Sequence, residues 1–207
     1  HRANDLNAAG RIYRVQPERS LNALAADNPE IVLQSPVPVI RALAHKTLVE
    51  KPQDALAIAK ALLSDENPFV RTRAQWLLRD LSAQNAQAQD LLRATLDSPN
   101  EKTRTTALRA LLRSDHSLSA LGPQLITDDS PAVRREFALS LRGRPLEEIR
   151  EPLIQLAAKL DANDPWELEA FGLACDGHEN ALYPELQLRF GGDPATWSDR
   201  FRAIAWR

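Results

Sequence analysis

Four arginines recur along the chain at nearly constant spacing and have the chemistry to bind carboxylates or other anions. Their spacings are 30, 33 and 30 residues, and the four are Arg41, Arg71, Arg104 and Arg134. An aspartate stands shortly before each of the last three: Asp65, Asp97 and Asp129. A guanidinium group matches a carboxylate bidentately. We therefore predict structural ion pairs of Arg71 with Asp65, of Arg104 with Asp97, and of Arg134 with Asp129.

A functional alternative for the same arginines is an anion-binding face. Residues 71–144 carry 12 basic and 8 acidic side chains, whereas residues 145–207 carry 6 basic and 12 acidic ones. The basic segment contains further arginines: Arg73, Arg79, Arg109, Arg113, Arg135 and Arg142. Grooves that bind nucleic acid pair basic residues with aromatic ones. Here Trp76 is the one tryptophan in the basic segment, and the net charge of −2 argues against general nucleic-acid affinity.

Two other groups of residues have side chains that could form a pocket or bind a metal ion. Trp76, Asp80 and Arg113 are the mid-chain aromatic, carboxylate and arginine that could converge in a pocket. Cys175 and His178 lie close in sequence, but one cysteine with one histidine falls short of the four ligands of a structural zinc site. The sequence shows no nucleophile elbow and no glycine-rich phosphate loop, so we predict no catalytic, cofactor or metal-binding residues.

The stretch from Asp128 to Leu141 has the pattern of a helix together with the residues that favour a helix N-terminus. Ser130 is placed to accept a backbone N–H as N-cap, and Pro131 occupies the first turn, where its missing donor does no harm. Val133, Phe137 and Leu141 then recur at helical spacing. The pattern predicts an amphipathic helix that begins at residue 131.

The same pattern is repeated along the chain. Three residues after the arginines stand small or apolar residues, Ala44, Ala74, Ala107 and Phe137. Seven residues after them stand leucines, Leu48, Leu78, Leu111 and Leu141. This spacing marks a buried stripe. Further amphipathic stretches lie between the copies, the clearest at residues 52–63, so each period predicts two antiparallel helices that stack on their neighbours. The fold class is an all-α solenoid.

The two ends of the chain depart from the repeat. Residues 1–19 predict a non-helical arm, because Gly10 to Val15 alternates like a strand. The repeat domain is predicted over residues 20–207, with degenerate copies from about residue 145. Trp166, Trp197 and Trp206 are predicted to cover its C-terminal end. No apolar run approaches the roughly 20 residues of a membrane span, so we expect no membrane insertion.

The signature Ser/Asn-Pro-x-Val-Arg-x-x-Ala-x-x-x-Leu resembles HEAT repeats, including the short variety grouped as PBS-lyase-like HEAT repeats. The resemblance is good over residues 35–142 and poor over residues 143–207. It implies a right-handed α-solenoid of about five to six hairpins, in which the arginines and turn aspartates form a ladder. The resemblance also implies two alternative functions. One is an anion- or nucleic-acid-binding protein, similar to DNA-glycosylase-like HEAT proteins. The other is an enzyme, similar to bilin-lyase-like HEAT proteins.

A narrower resemblance rests on Gly10-Arg11-Ile12-Tyr13-Arg14-Val15, which is similar to the closing strand of glucose-dehydrogenase-like β-propellers. Propeller, HEAT repeats and cytochrome c follow one another in the membrane-bound-dehydrogenase-like proteins of planctomycetes and verrucomicrobia. A haem would then lie outside this chain, which lacks a CxxCH motif. The resemblance implies a periplasmic or cell-envelope location, and without it a cytoplasmic one is expected.

From these patterns we predict a non-catalytic scaffold or protein-interaction module. It would act as a spacer between the propeller and cytochrome c domains of a larger redox protein. Its partners would be proteins, foremost the flanking domains of that parent.

Overall fold

The computed structural model describes residues 28–113 and 118–207, and this part of the chain is all-α. The predicted arm at residues 1–19 lies outside the described residues. The chain divides into two compact units, His1–Lys51 and Pro52–Arg207. In the first unit, α1 (Pro29–Leu33) packs against α2 (Pro38–Val49).

The second unit contains ten described α-helices. In chain order they are α3 (Pro52–Leu62), α4 (Pro68–Ser82), α5 (Ala86–Ala94), α6 (Glu101–Leu112), α7 (Leu118–Ile126), α8 (Pro131–Leu141), α9 (Leu146–Ala157), α10 (Pro165–Cys175), α11 (Glu179–Phe190) and α12 (Asp199–Trp206). Single 3-10 turns lie at Thr95–Asp97 and Pro194–Thr196. None of the helices described here combines the length and the apolar character that crossing a membrane requires.

Successive helices pair as hairpins, α3 with α4, α5 with α6, α7 with α8 and α9 with α10, and the hairpins are arranged in two layers. In one layer, α4 packs on α6, α6 on α8, and α8 on α10. In the other layer, α7 packs on α9 and α9 on α11. Each hairpin buries its apolar faces against its own partner and against the next hairpin, which is the architecture of an α-solenoid. The predicted fold class is therefore confirmed.

The buried stripe is the one that the repeat predicts. All residues of the +3 column, Ala44, Ala74, Ala107 and Phe137, are 0% exposed. The leucines of the +7 column, Leu48, Leu78, Leu111 and Leu141, are at most 1% exposed. Because one helix face repeats every 3.6 residues, the +3 and +7 positions of each helix lie on the same face, and that face is the buried one.

Asparagine and aspartate side chains begin several of these helices. The side-chain oxygens of Asn67, Asn85, Asn100 and Asp164 accept backbone N–H groups from the first turn. Ser130 differs from its prediction, because its hydroxyl makes no cap hydrogen bond to α8. It donates instead to Glu101 Oε2 at 2.6 Å, and so joins the start of α8 to the start of α6.

The predicted tryptophan cap is reduced to one residue. The Trp197 ring lies 4.7 Å from that of Phe201, and its indole N–H donates to the Gly191 carbonyl at 2.7 Å. By contrast, Trp166 is 71% exposed and Trp206 is 90% exposed. An exposed tryptophan on a helix surface is a feature that a closing cap does not explain.

Truncation of the leucine column tests this register. Leu141→Ala and Leu111→Ala should each lower the free energy of unfolding by about 2–5 kcal/mol, because each leaves a cavity in a fully buried site. Urea denaturation followed by circular dichroism measures the change. Leu139→Ala is the matched control on α8, since Leu139 is 43% exposed and should cost less than about 1 kcal/mol. Equal, small losses in Leu141→Ala and Leu139→Ala would contradict the register.

Candidate functional site

Each of the four repeating arginines closes its own turn by the same hydrogen bond. Its Nη1 donates to the backbone oxygen of the residue six positions earlier. The pairs are Arg41 to Ser35 at 2.9 Å, Arg71 to Asp65 at 2.7 Å, Arg104 to Ser98 at 2.8 Å and Arg134 to Asp128 at 2.6 Å. We call this interaction the arginine clamp. It supplies a donor to carbonyl groups of the connecting turn, which lie outside the helical hydrogen-bond ladder.

Two of the clamps also bind a carboxylate of the next repeat. Arg104 donates from Nε to Asp128 Oδ2 and from Nη2 to Asp128 Oδ1, both at 2.8 Å. Arg134 donates from Nε to Glu167 Oε1 at 2.6 Å, and Glu167 Oε2 accepts the Asp161 N–H at 2.9 Å. Arg134 is 8% exposed and Glu167 is 1% exposed, so this pair is shielded from water. The clamps therefore connect successive repeats as well as their own turns.

The carboxylate partners differ from those that the sequence predicts. Asp65 binds Arg71 only through its backbone oxygen, while its carboxylate accepts the Asn67 N–H at 2.7 Å. The Asp97 carboxylate accepts from Gln124 Nε2 at 2.7 Å and does not pair with Arg104.

Among the described residues, Arg134 pairs with Glu167 and not with Asp129. The physical reason is the direction in which the arginine side chains extend. Arg104 and Arg134 extend past their own turns, so their outer nitrogens meet carboxylates of the following repeat. Glu167 stands too far from Arg134 in sequence for the spacing to reveal the pair.

The Arg104–Asp128 pair shifts the proton affinities of both groups. Burial raises the pKa of Asp128, but hydrogen bonds from Arg104 and from the Ser130 N–H outweigh it, so the net pKa lies below the usual 3.8. The hydrogen bond with Asp128 also raises the pKa of Arg104. Both shifts favour the charged pair, which is the signature of a structural contact.

The lowered pKa of Asp128 predicts an acid-dependent loss of stability. A carboxyl group whose folded pKa is depressed stabilises the fold above its unfolded pKa, and this contribution is lost as the pH falls through the folded pKa. The loss therefore begins near pH 3.8 and continues below it. Unfolding free energies measured between pH 6 and pH 2 should fall less steeply in Asp128→Asn than in the wild type. Parallel curves below pH 4 would contradict the assignment, and Asp129→Asn serves as the control.

Trp76, Asp80 and Arg113 lie in one neighbourhood, which Arg79 holds together. The guanidinium carbon of Arg79 lies 5.2 Å from the centre of the Trp76 ring, and that of Arg113 lies 5.8 Å away. Asp80 forms an ion pair with Arg79. These distances are within the range of cation–π contacts. The aromatic ring thus meets two cations from the protein itself. Arg79, which the sequence places among the basic residues of this segment, is an additional member of the cluster.

A groove crosses the exposed surfaces of α6, α8 and α10. Its volume is about 530 Å³, and it is lined by Thr105, Arg109, Ala132, Arg135, Glu136, Leu139, Trp166, Glu169, Ala170 and Leu173. We call it the α6–α8–α10 groove. Trp166 and Leu139 are its exposed apolar side chains. Because these residues point away from the buried stripe, their apolar surface does not contribute to the core.

Ion pairs connect the charged groups of the groove. Arg109 Nη2 lies 2.7 Å from Glu136 Oε2, which joins α6 to α8. Arg135 Nη1 lies 3.6 Å from Asp164 Oδ2 at the start of α10, and Glu169 pairs with Arg207. The Arg109 side chain keeps 56% of its surface exposed and that of Arg135 keeps 33%. The groove therefore combines an apolar surface with charges of both signs that are held in position.

The sequence contained a signal for this groove that the repeat pattern obscured. Thr105 and Arg135 follow the clamp arginines by one residue, while Arg109 and Leu139 follow them by five. These positions share one face of each helix, opposite the +3 and +7 columns. An exposed leucine and tryptophan on that face are the sequence signal of the groove, whereas the pattern of bulky C-terminal residues predicts Trp166 in the end cap.

Cys175 and His178 do not come together as a metal site. Cys175 is 6% exposed, and burial raises the pKa of its thiol to about 12. The His178 Nε2 lies 3.1 Å from the Arg144 carbonyl oxygen. Within residues 28–113 and 118–207, no three His, Cys, Asp or Glu side chains are grouped closely enough to hold a metal ion. The thiol is a buried side chain at the end of α10.

Comparison with known proteins adds no assignment to this geometry. A scan against models of protein families finds no match, and a search of curated proteins finds no relative.

Proposed function

We propose that this chain is a non-catalytic protein-interaction module whose α6–α8–α10 groove receives a polypeptide segment. The carrying observation is the exposed pair Trp166 and Leu139 in a groove that spans three successive helices. Tryptophan supplies a large contact area at low entropic cost and is enriched among residues that dominate binding energy. A bound segment would place an apolar side chain against this pair.

The charges around the groove support a polypeptide as the occupant. Arg109 and Glu136 form an ion pair, and Arg135 and Glu169 add one further charge of each sign to the lining. A polypeptide can offer an apolar anchor together with acidic, basic and backbone amide groups at short spacing. The cation-rich grooves that bind nucleic acid have a different composition, because they follow a continuous line of phosphates.

Hydrogen bonds between successive repeats give this module its rigidity. The clamps of Arg104 and Arg134 fix α6 to the turn before α8, and α8 to α10. The three helices that form the groove are therefore held in register before a partner arrives. Preorganisation of this kind lowers the entropic cost of binding.

We further propose that the repeats are HEAT-like and that the module is a spacer in a larger redox protein, where it contacts a flanking domain. The support is the repeated Pro-x-Val-Arg start and the strand-like Gly10–Val15 segment, whose structure lies outside the described residues. Haem chemistry would then belong to another part of that parent.

Selection from a library of displayed random 12-residue peptides tests the groove. Selected peptides should bind the wild type, and Trp166→Ala should weaken their binding at least about tenfold, because truncating a dominant tryptophan costs more than about 1.4 kcal/mol. Isothermal titration calorimetry measures the affinities. Trp206→Ala is the matched control, since Trp206 is an exposed tryptophan outside the groove. Unchanged affinity in Trp166→Ala would contradict the proposal.

Competition tests the spacer role separately. A flanking domain of the parent, added to the complex of the chain with a groove-selected peptide, should displace the peptide. A flanking domain that leaves the peptide bound would reject the spacer role and would leave the groove itself unaffected.

A further inference from the structure

In the part of the chain that the structure describes, the Arg71 clamp has no carboxylate like those that complete the clamps of Arg104 and Arg134. Its Nη1 donates to the backbone oxygens of Asp65 at 2.7 Å and Glu66 at 2.9 Å. Its Nε and Nη2 have no acceptor among the residues that the structure describes. In the two later clamps of the second unit, the outer nitrogens bind an aspartate or a glutamate. Within the described residues, the Arg71 guanidinium therefore has a donor pair without an acceptor in the same repeat position.

A single residue type explains this difference. Asp128, which binds Arg104, stands three residues before α8, and Ser98 stands three residues before α6. Both side chains bind the backbone N–H two residues further on. Asp128 Oδ1 accepts from Ser130 at 2.8 Å, and Ser98 Oγ accepts from Asn100 at 3.2 Å. Ser98 thus performs the turn function of Asp128, but it has no second oxygen and no charge to offer Arg71.

A cavity adjoins Arg71 and the residues at the start of α6. Its volume is about 410 Å³, and it is lined by Pro68, Arg71, Pro99, Asn100, Glu101 and Lys102. Arg71 and Lys102 bring two positive charges to it. Glu101 brings one negative charge, and its carboxylate already accepts a hydrogen bond from the Ser130 hydroxyl. The lining has a net charge of +1, which matches a monoanion.

We propose that this cavity binds a carboxylate group, seated on Nε and Nη2 of Arg71 in the way that Asp128 is seated on Arg104. Lys102 adds a second positive charge to the site. The carboxylate can come from a small free acid or from an acidic side chain of a polypeptide, because the donor pair recognises the planar group that both share. The site is separate from the α6–α8–α10 groove and does not depend on the function proposed for it.

Nuclear magnetic resonance of the arginine Nε–H groups tests the site in the full chain. Sodium acetate should shift the Arg71 Nε–H resonance in a saturable manner, and sodium chloride at matched ionic strength should not. N-acetyl-aspartate amide should act like acetate if acidic side chains are accepted, with N-acetyl-asparagine amide as the uncharged control. A response to acetate alone, to the aspartate amide alone or to both supports the site and identifies the source. No response to either carboxylate at 200 mM overturns it.

Substitutions at Ser98 provide an independent test. Ser98→Asp should supply the carboxylate from within the chain, so its Arg71 Nε–H resonance should lie near the acetate-saturated position and no longer respond to acetate. Its Tm should rise by about 2–4 °C, the size expected of one added interaction in a chain of this length. Ser98→Asn has the same shape without the charge and should retain the acetate response. A Ser98→Asp variant that responds to acetate like Ser98→Asn would overturn the proposal.

Discussion

The interaction on which the solenoid depends is a buried guanidinium group that binds its own turn and the next repeat at the same time. Arg134 donates to the Asp128 carbonyl with one nitrogen and to the Glu167 carboxylate with another. Glu167 then accepts the Asp161 N–H, which ties in the loop before α10. Packing of small side chains is non-directional, whereas this charged contact adds a directional hydrogen bond across the repeat boundary. Because both charges are buried, losing either one leaves the other without compensation. The groove on α6, α8 and α10 inherits its shape from these connections.

Most of the fold could be predicted from the sequence, because the same local sequence pattern recurs in successive repeats. Proline or asparagine near most helix starts predicts the helices, and the +3 and +7 apolar columns predict the side that each arginine-bearing helix buries. The predictions weakened where one residue has two choices of partner. Ser130 has the composition of an N-cap, yet its hydroxyl binds Glu101 of the preceding repeat. Trp166 and Trp206 have the bulk of an end cap, yet both remain exposed. The type of a residue does not decide whether its side chain contacts a residue nearby in sequence, a residue of an adjacent repeat or solvent.

The site was less predictable for the same reason. The arginines were found by their spacing, but their carboxylate partners were expected in the nearest turn. The structure places these partners in the following repeat. Asp129 is predicted to pair with Arg134, but it is the neighbouring Asp128 whose carboxylate binds an arginine, and that arginine is Arg104 of the preceding repeat. The difference depends on the backbone geometry of the turn, which composition does not specify. Glu167 lies 33 residues from Arg134 in a repeat whose own arginine position is occupied by Leu168. The repeats also differ at Arg71, because Ser98 occupies the position before α6 that Asp128 occupies before α8.

The central claim is that the arginine clamps couple successive repeats, and a double-mutant cycle on Arg134 and Glu167 tests it most directly. Unfolding free energies of the wild type, Arg134→Met, Glu167→Gln and the double variant, measured by urea denaturation at pH 7, give the coupling energy. Each single variant leaves an uncompensated buried group and should lose about 3–5 kcal/mol. The double variant should lose clearly less than the sum, with a coupling energy of about 1.5–3 kcal/mol. Additive losses, with a coupling energy near zero, would show that the two side chains are neighbours without energetic connection and would contradict this account of how the repeats are held together.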